Sequence, residues 1–217
     1  MLATFFIEII CAIYVVAKYK LTAITRIAAA LLIGLAVFQL AEYNVCEGAF
    51  GVDSLTWARI GYVAITALPP LGLHLALMIA GVRRPQLVVM GYLSGLAFAS
   101  VFLFAGHGMG AQQCLGNYVI FSIASWAVIP YFIYYYGWLL VTVGLCIKFG
   151  MAAKRHNQKA ALYTLAAGYA AFIVPTTAVN IIDPSTTAGI PSIMCGFAVI
   201  LAVVLTGFVI PRYYRKK

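Results

Sequence analysis

The sequence predicts an all-α integral membrane protein, a bundle of seven transmembrane helices with the N-terminus outside and the C-terminus in the cytoplasm. Three observations predict it. Of 217 residues, 65% are hydrophobic and only 9% charged, and the mean hydropathy is +1.02. A soluble domain is nearer half apolar and a quarter charged, so this chain cannot cover a water-facing surface. Apolar runs cover 2–18, 24–44, 54–81, 86–106, 118–147, 158–182 and 189–211. Each reaches or approaches the roughly 20 residues that a helix needs to cross the hydrocarbon core. Thirteen of the fourteen basic residues fall on alternate loops and the C-terminal tail: Lys18, Lys20, Arg26; Arg83, Arg84; Lys148, Lys154, Arg155, Lys159; Arg212, Arg215, Lys216, Lys217. The positive-inside rule then sets the orientation, and an odd number of crossings agrees with it.

The first run opens Met-Leu-Ala-Thr-Phe, with no basic n-region and no small-residue cleavage site. It is expected to stay as a helix rather than be removed as a signal peptide. It carries Glu8, which has no obvious partner in sequence. The second run ends with Gln39 and, one turn later, Glu42. The third, from Trp57 to Gly81, is the stretch around which the chain is organised. It holds Arg59, the one basic residue of the outer half, then Pro69-Pro70 in its middle and His74 beyond. A lone charge at such depth is costly, and charges there tend to pair or to line a wet cavity. Glu42 and Arg59 lie at similar depth on consecutive antiparallel helices, which predicts an ion pair between them.

Inner loops are tight. Gly81-Val-Arg-Arg-Pro85 is stopped by Gly and Pro. The outer loop of residues 106–117 is rich in Gly and is expected to be mobile. Its Gly-x-Gly is no phosphate-binding fingerprint, because no strand precedes it. Cys46 and Cys114 fall in two outer loops, on the oxidising side where disulfides persist, and are predicted to be bridged. Cys11, Cys146 and Cys195 lie inside apolar runs as packing residues. The whole is one domain, 1–217, for no polar segment is long enough to hold a second.

From Arg59, Tyr62 and Thr66 follow at i+3 and i+7 on one helix face. Thr176 and Asn180 approach the same side on the sixth helix, and Trp126 and Tyr131 offer aromatic surface on the fifth. With Gln39 and Glu42, these polar and aromatic groups on several helices predict an outward-opening cavity. Interhelical hydrogen bonding without a ligand would use the same residues. Pro69, Pro70, Pro130 and Pro175 are candidate kinks. His74 reads either as a proton-sensitive switch or as a neutral ring satisfied by a carbonyl that Pro69 or Pro70 frees.

Absences narrow the field further. The last run lacks the lysine that a retinal Schiff base needs. No His-Glu-x-x-His, acidic dyad or nucleophile beside a base occurs at helical spacing, so an enzyme is not expected. No Cys/His grouping has metal-site spacing, so no metal is expected, and no cofactor. The net charge of +9 is dispersed in short clusters between apolar runs, which suits an acidic lipid surface and not nucleic acid.

Phe38-Gln-Leu-Ala-Glu42, Trp57-Ala-Arg59-Ile-Gly-Tyr62 and Leu68-Pro-Pro70-Leu-Gly-Leu-His74-Leu-Ala-Leu77 together resemble the seven-helix N-terminal sensor region of prokaryotic membrane histidine kinases. The basic loop Lys154-Arg-His-Asn-Gln-Lys159 before a Gly168-containing helix fits the same pattern. The resemblance is specific over about residues 38–81 and otherwise one of topology. It implies a sensory module of the plasma membrane and marks Glu42, Arg59, Pro70 and His74 as family positions. The sequence ends soon after the seventh run, so kinase activity does not carry over. A stand-alone sensor and an excised sensor domain both remain open. The expected function is therefore a receptor-like module that binds a small or lipophilic ligand from the outer side and signals through a cytoplasmic partner. A small-solute transporter and a structural subunit that docks a partner are the alternatives. Against a transporter stands the lack of an internal repeat.

Overall fold

The computed structural model describes residues 1–105, 108–115 and 118–214. The basic tail residues Arg215, Lys216 and Lys217 lie outside the described residues, as do Gly106, His107, Gly116 and Asn117 of the Gly-rich loop.

Helix boundaries follow local chemistry. Helix α1 is Leu2–Lys18. Helix α2, Ala23–Glu47, starts at Thr22, whose hydroxyl accepts the Thr25 N–H, and stops at Gly48 with φ 65°. Asp53 caps α3, Ser54–Ala80, by accepting the Thr56 N–H at 2.9 Å and the Thr56 hydroxyl at 2.6 Å. Those two bonds, the hydroxyl first, hold the Asp53 carboxyl below its ordinary pKa. Gly81 ends α3 at φ 69°, a left-handed conformation that a residue with a Cβ adopts only with strain. Pro85 occupies the first turn of α4, Pro85–Phe104, where a missing N–H removes no helical bond. Helices α5, Ser125–Ala152, and α6, His156–Ile182, follow. A short 3₁₀ segment, Pro184–Gly189, leads into α7, Ile190–Val204. This last helix continues through a π turn, Leu205–Val209, to a final turn, Ile210–Tyr214.

Six helical segments among the described residues are long and apolar enough to cross a membrane, and α1, at 17 residues, is somewhat shorter. The chain is a multi-pass membrane protein, as its composition demands. Helices α4 and α5 present the apolar outer surface: Met90, Leu93, Leu96, Ile129 and Ile133 are exposed, which places them against lipid tails in a bilayer.

The all-α expectation needs one correction. Met109–Cys114 and Val119–Ile123 form an antiparallel hairpin, β1 and β2, with Gln112 opposite Phe121 and Cys114 opposite Val119. The apolar run from 118 therefore does not begin as helix; α5 starts at Ser125. Val-Ile-Phe-Ser-Ile is rich in β-branched and aromatic residues, and hydropathy alone cannot separate it from the helix that follows. The hairpin covers one end of the bundle. A Cys46–Cys114 disulfide, Cα atoms 5.8 Å apart, ties β1 to the end of α2, as the sequence predicts.

Small residues set the closest helix contacts. A Cβ on Gly61 would stand 3.1 Å from the Ala41 Cβ, and one on Gly72 only 1.7 Å from the Tyr169 hydroxyl. Gly72 is thus what lets α3 and α6 meet. At the opposite, basic end, Tyr214 hydrogen-bonds Thr22 and, at 2.8 Å, Thr25, and stacks on Tyr19 with ring centroids 5.4 Å apart. Arg212 donates to Thr164. Gln158 Nε2 donates to the Ile79 carbonyl at 2.9 Å.

Candidate functional site

Pro70 has no N–H, so the Thr66 carbonyl one turn back is freed. In the middle of an apolar bundle that carbonyl needs another donor. The Tyr134 hydroxyl of α5 supplies it at 2.6 Å. The Thr66 hydroxyl donates to the Tyr62 carbonyl at 2.6 Å and accepts from the Tyr131 hydroxyl at 3.0 Å. Pro70 thereby recruits Tyr134 of α5 onto α3, and the Thr66 hydroxyl adds Tyr131 beside it. His74 plays no part in this. It is half-buried, and its Nδ1 faces the Tyr92 hydroxyl at 3.2 Å, so the partner it has is Tyr92, while the carbonyl that Pro70 frees is met by Tyr134. Pro130 lies in the second turn of α5, because that helix starts later than expected. Pro69, Pro70 and Pro175 are inside continuous helices.

Around this joint the aromatic rings converge. Tyr62 packs against Phe102, Phe121 and Tyr131 at centroid separations of 4.9, 5.3 and 5.7 Å, within the range of favourable ring contacts. Beside them opens a cavity of about 450 Å³, the size of a small-molecule site. Its wall is Tyr62, Ile65, Tyr131, Phe132, Tyr135, Tyr136 and Met194; hairpin residues Phe121, Ser122 and Ile123 roof it; Ser185, Thr187 and Ala188 form a polar rim. The lining is predominantly apolar with a few hydroxyls, suited to an amphipathic guest.

The predicted site residues divide. Tyr62 and Tyr131 line the cavity, Thr66 holds Tyr131, and Asn180 donates to the rim residue Thr187 at 2.9 Å. Thr176 is buried and spends its hydroxyl on the Phe172 carbonyl at 2.8 Å. Trp126 is 62% exposed on the outer surface and does not line the cavity. Gln39 and Glu42 lie elsewhere, on the α1 and α7 side of α2. The predicted Glu42–Arg59 ion pair does not form, and no ion pair is present among the described residues. The α2–α3 contact is made instead by Phe38, Ala41 and Gly61. Glu42 turns to Ser192 of α7, while Arg59 is half-buried with its Nε unpartnered.

Sequence reasoning missed the hairpin and the 185–191 rim, which have no helical spacing to reveal them. It also left Glu8 undecided. Glu8, Ala12 and Val15 form the buried face of α1, and their i, i+4, i+7 spacing with a small residue is the signal that could have placed Glu8 inward.

A second cavity, about 720 Å³, lies at the basic end between Met78–Gly81, Lys154–Gln158 and Tyr213–Tyr214. It is open and cationic, with Lys154, Arg155 and His156 exposed around it. No protein family, curated protein or solved structure matches the chain.

Proposed function

We propose that the protein is a sensory, receptor-like module of a prokaryotic plasma membrane. It takes a small lipophilic or amphipathic ligand into the aromatic cavity from the outer side and signals to a cytoplasmic partner at its basic end. The observation that carries this reading is the cavity itself: an apolar pocket of about 450 Å³ with a hydroxyl-bearing rim, beside a tyrosine joint at a double-proline helix. The resemblance to histidine-kinase sensor regions and the orientation expected from the basic loops point the same way.

A ligand acts as a signal only if it binds one bundle packing better than another. The joint offers such a difference. Tyr131 both lines the cavity and bonds Thr66 on α3, so a guest pressing on its ring acts on the α3–α5 contact. Thermal shift of the purified protein with medium-chain fatty acids and acyl amides tests the reading. Ala188→Trp fills the rim, and Arg59→Ala lies off the cavity. Stabilisation of the wild type and of Arg59→Ala, lost in Ala188→Trp, supports it. Equal shifts in all three, or none in any, remove it.

A further inference from the structure

The α1–α2–α7 side of the core holds a group of polar side chains that the aromatic cavity does not use. Glu8 is 0% exposed and Glu42 1%. Neither Glu8 oxygen has a hydrogen-bond partner, and neither does Glu42 Oε1. Helical side chains lean toward the N-terminus of their own helix. Because α1 and α2 run antiparallel, Glu8 and Glu42 lean toward each other along the bundle axis and come within electrostatic reach of one another. One turn from each, Thr4 and Gln39 join the two helices: the Thr4 hydroxyl bonds Gln39 Oε1 at 2.8 Å. Gln39 is 1% exposed with its Nε2 unpartnered. Turning that amide over keeps the Thr4 bond, with nitrogen now donating, and leaves Oε1 as a buried acceptor without a donor. Ser192 accepts the Val119 N–H at 3.1 Å, which leaves its own hydroxyl for Glu42.

Two buried carboxyls in this setting cannot both stay ionised and bare. An unpaired charge in a bundle core costs several kcal/mol, and acidic groups inside membrane segments mark ion and proton sites. The other titratable groups that face them are Tyr62 of α3 and Cys195 of α7. The Met1 amino group is within electrostatic reach of both but pairs with neither. Arg59 does not reach them.

We propose that Glu8 and Glu42, with Gln39 and Ser192, form a monovalent-cation site in the bundle core, occupied by protons or by a sodium ion. A divalent ion takes six or more oxygens or keeps its waters; the four side chains carry six at most, and Ser192 already engages one Glu42 oxygen. Among the described residues no three His, Cys, Asp or Glu side chains gather as a transition-metal site. The inference stands apart from the aromatic cavity, since none of the four ligands lines it and Tyr62 is only a neighbour of both.

The test is thermal unfolding of the full chain in detergent, with sodium chloride or N-methylglucamine chloride, at pH 5.5 and pH 8.5. The site predicts the lowest melting temperature at pH 8.5 without sodium. A rise of about 3 °C or more on adding sodium at pH 8.5 assigns the alkali cation, and the same rise on acidification alone assigns protons. Either rise should shrink to near zero in Glu8→Gln and Glu42→Gln. Infrared difference spectra of the wild type serve if the variants fail to fold: a protonated-carboxyl band must fade when the pH is raised or sodium is added. A flat wild-type profile, a response that both variants retain, or stabilisation by calcium but not sodium overturns the proposal.

Discussion

On one side of Tyr62, the Thr66 groups at the Pro70 break have partners: Tyr134 with the Thr66 carbonyl, Tyr131 with the Thr66 hydroxyl, that hydroxyl with the Tyr62 carbonyl. On the other side, Glu8, Gln39 and Glu42 are as deeply buried, yet four of their side-chain atoms have none. The two clusters share a depth and a neighbour, and differ in whether the fold completes them. A completed cluster holds helices together, and cutting it exposes a desolvated group. An uncompleted cluster weakens the apo bundle and becomes stable only with something added. Position and polarity alone, which is all that a sequence shows, do not tell the two apart.

Substitutions can break or sharpen this contrast. The largest loss is expected from Tyr131→Ala, which removes the ring that contacts Tyr62, Phe98, Phe102 and Tyr134. Truncating a buried aromatic side chain costs about 3–5 kcal/mol, readable by reversible unfolding in mixed micelles. Next comes Cys46→Ser, which frees the hairpin roofing the completed cluster. The bridge closes a loop of 68 residues, and such bridges stabilise by about 2–4 kcal/mol. Reductant should lower the wild-type melting temperature by a like amount and leave the variant unmoved. Tyr134→Phe takes away one oxygen and orphans the Thr66 carbonyl, at about 1–3 kcal/mol. Glu8→Leu goes the other way: without a cation, replacing an unpartnered carboxyl by a hydrocarbon of similar size leaves stability unchanged or raises it. A loss as large as that of Tyr134→Phe would show that Glu8 already has a partner and would erase the contrast.

The smallest effect belongs to Asp53, outside the membrane core, where a completed polar group can be followed by pH. Its carboxyl is held below the usual value by Thr56, so its contribution is present above that usual value and fades as pH falls through the lowered one. Asp53→Asn keeps a capping oxygen but removes the acid-side change. Melting temperature measured between pH 6 and pH 3 should fall slightly less in the variant.

Helix ends were legible where chemistry marks them. Gly81 stops α3 and Pro85 opens α4 where the sequence marked them; Thr22, Gly48 and Asp53, which the apolar runs did not single out, cap helices within four residues of the run ends. The Cys46–Cys114 bridge was legible because alternate loops must share an end of the bundle. The hairpin was not, since Val119–Ile123 is as apolar as the helix after it. Nor was the facing of Glu42. Its depth matched that of Arg59, but whether two side chains on neighbouring helices meet depends on rotation about each axis. Here Gly61, set against Ala41 and Phe38, fixes that rotation and turns Glu42 toward α7. Of the residues that line the cavity, the sequence singled out Tyr62 and Tyr131, and it also singled out Thr66, which lies behind them as the partner of Tyr131. The rest of the lining comes from other faces of α3, α5 and α7, from the hairpin and from the 184–189 segment, and apolar positions in an apolar helix carry no mark of facing a cavity.

Tyr214, bonded to Thr22 and Thr25 and laid over Tyr19, works as a gear tooth between the last crossing and the first turn of chain. Should α7 swivel about its own axis, the 19–25 segment has to be dragged along or the tooth has to disengage. Anything gripping either of them at this end would therefore sense the torque on both.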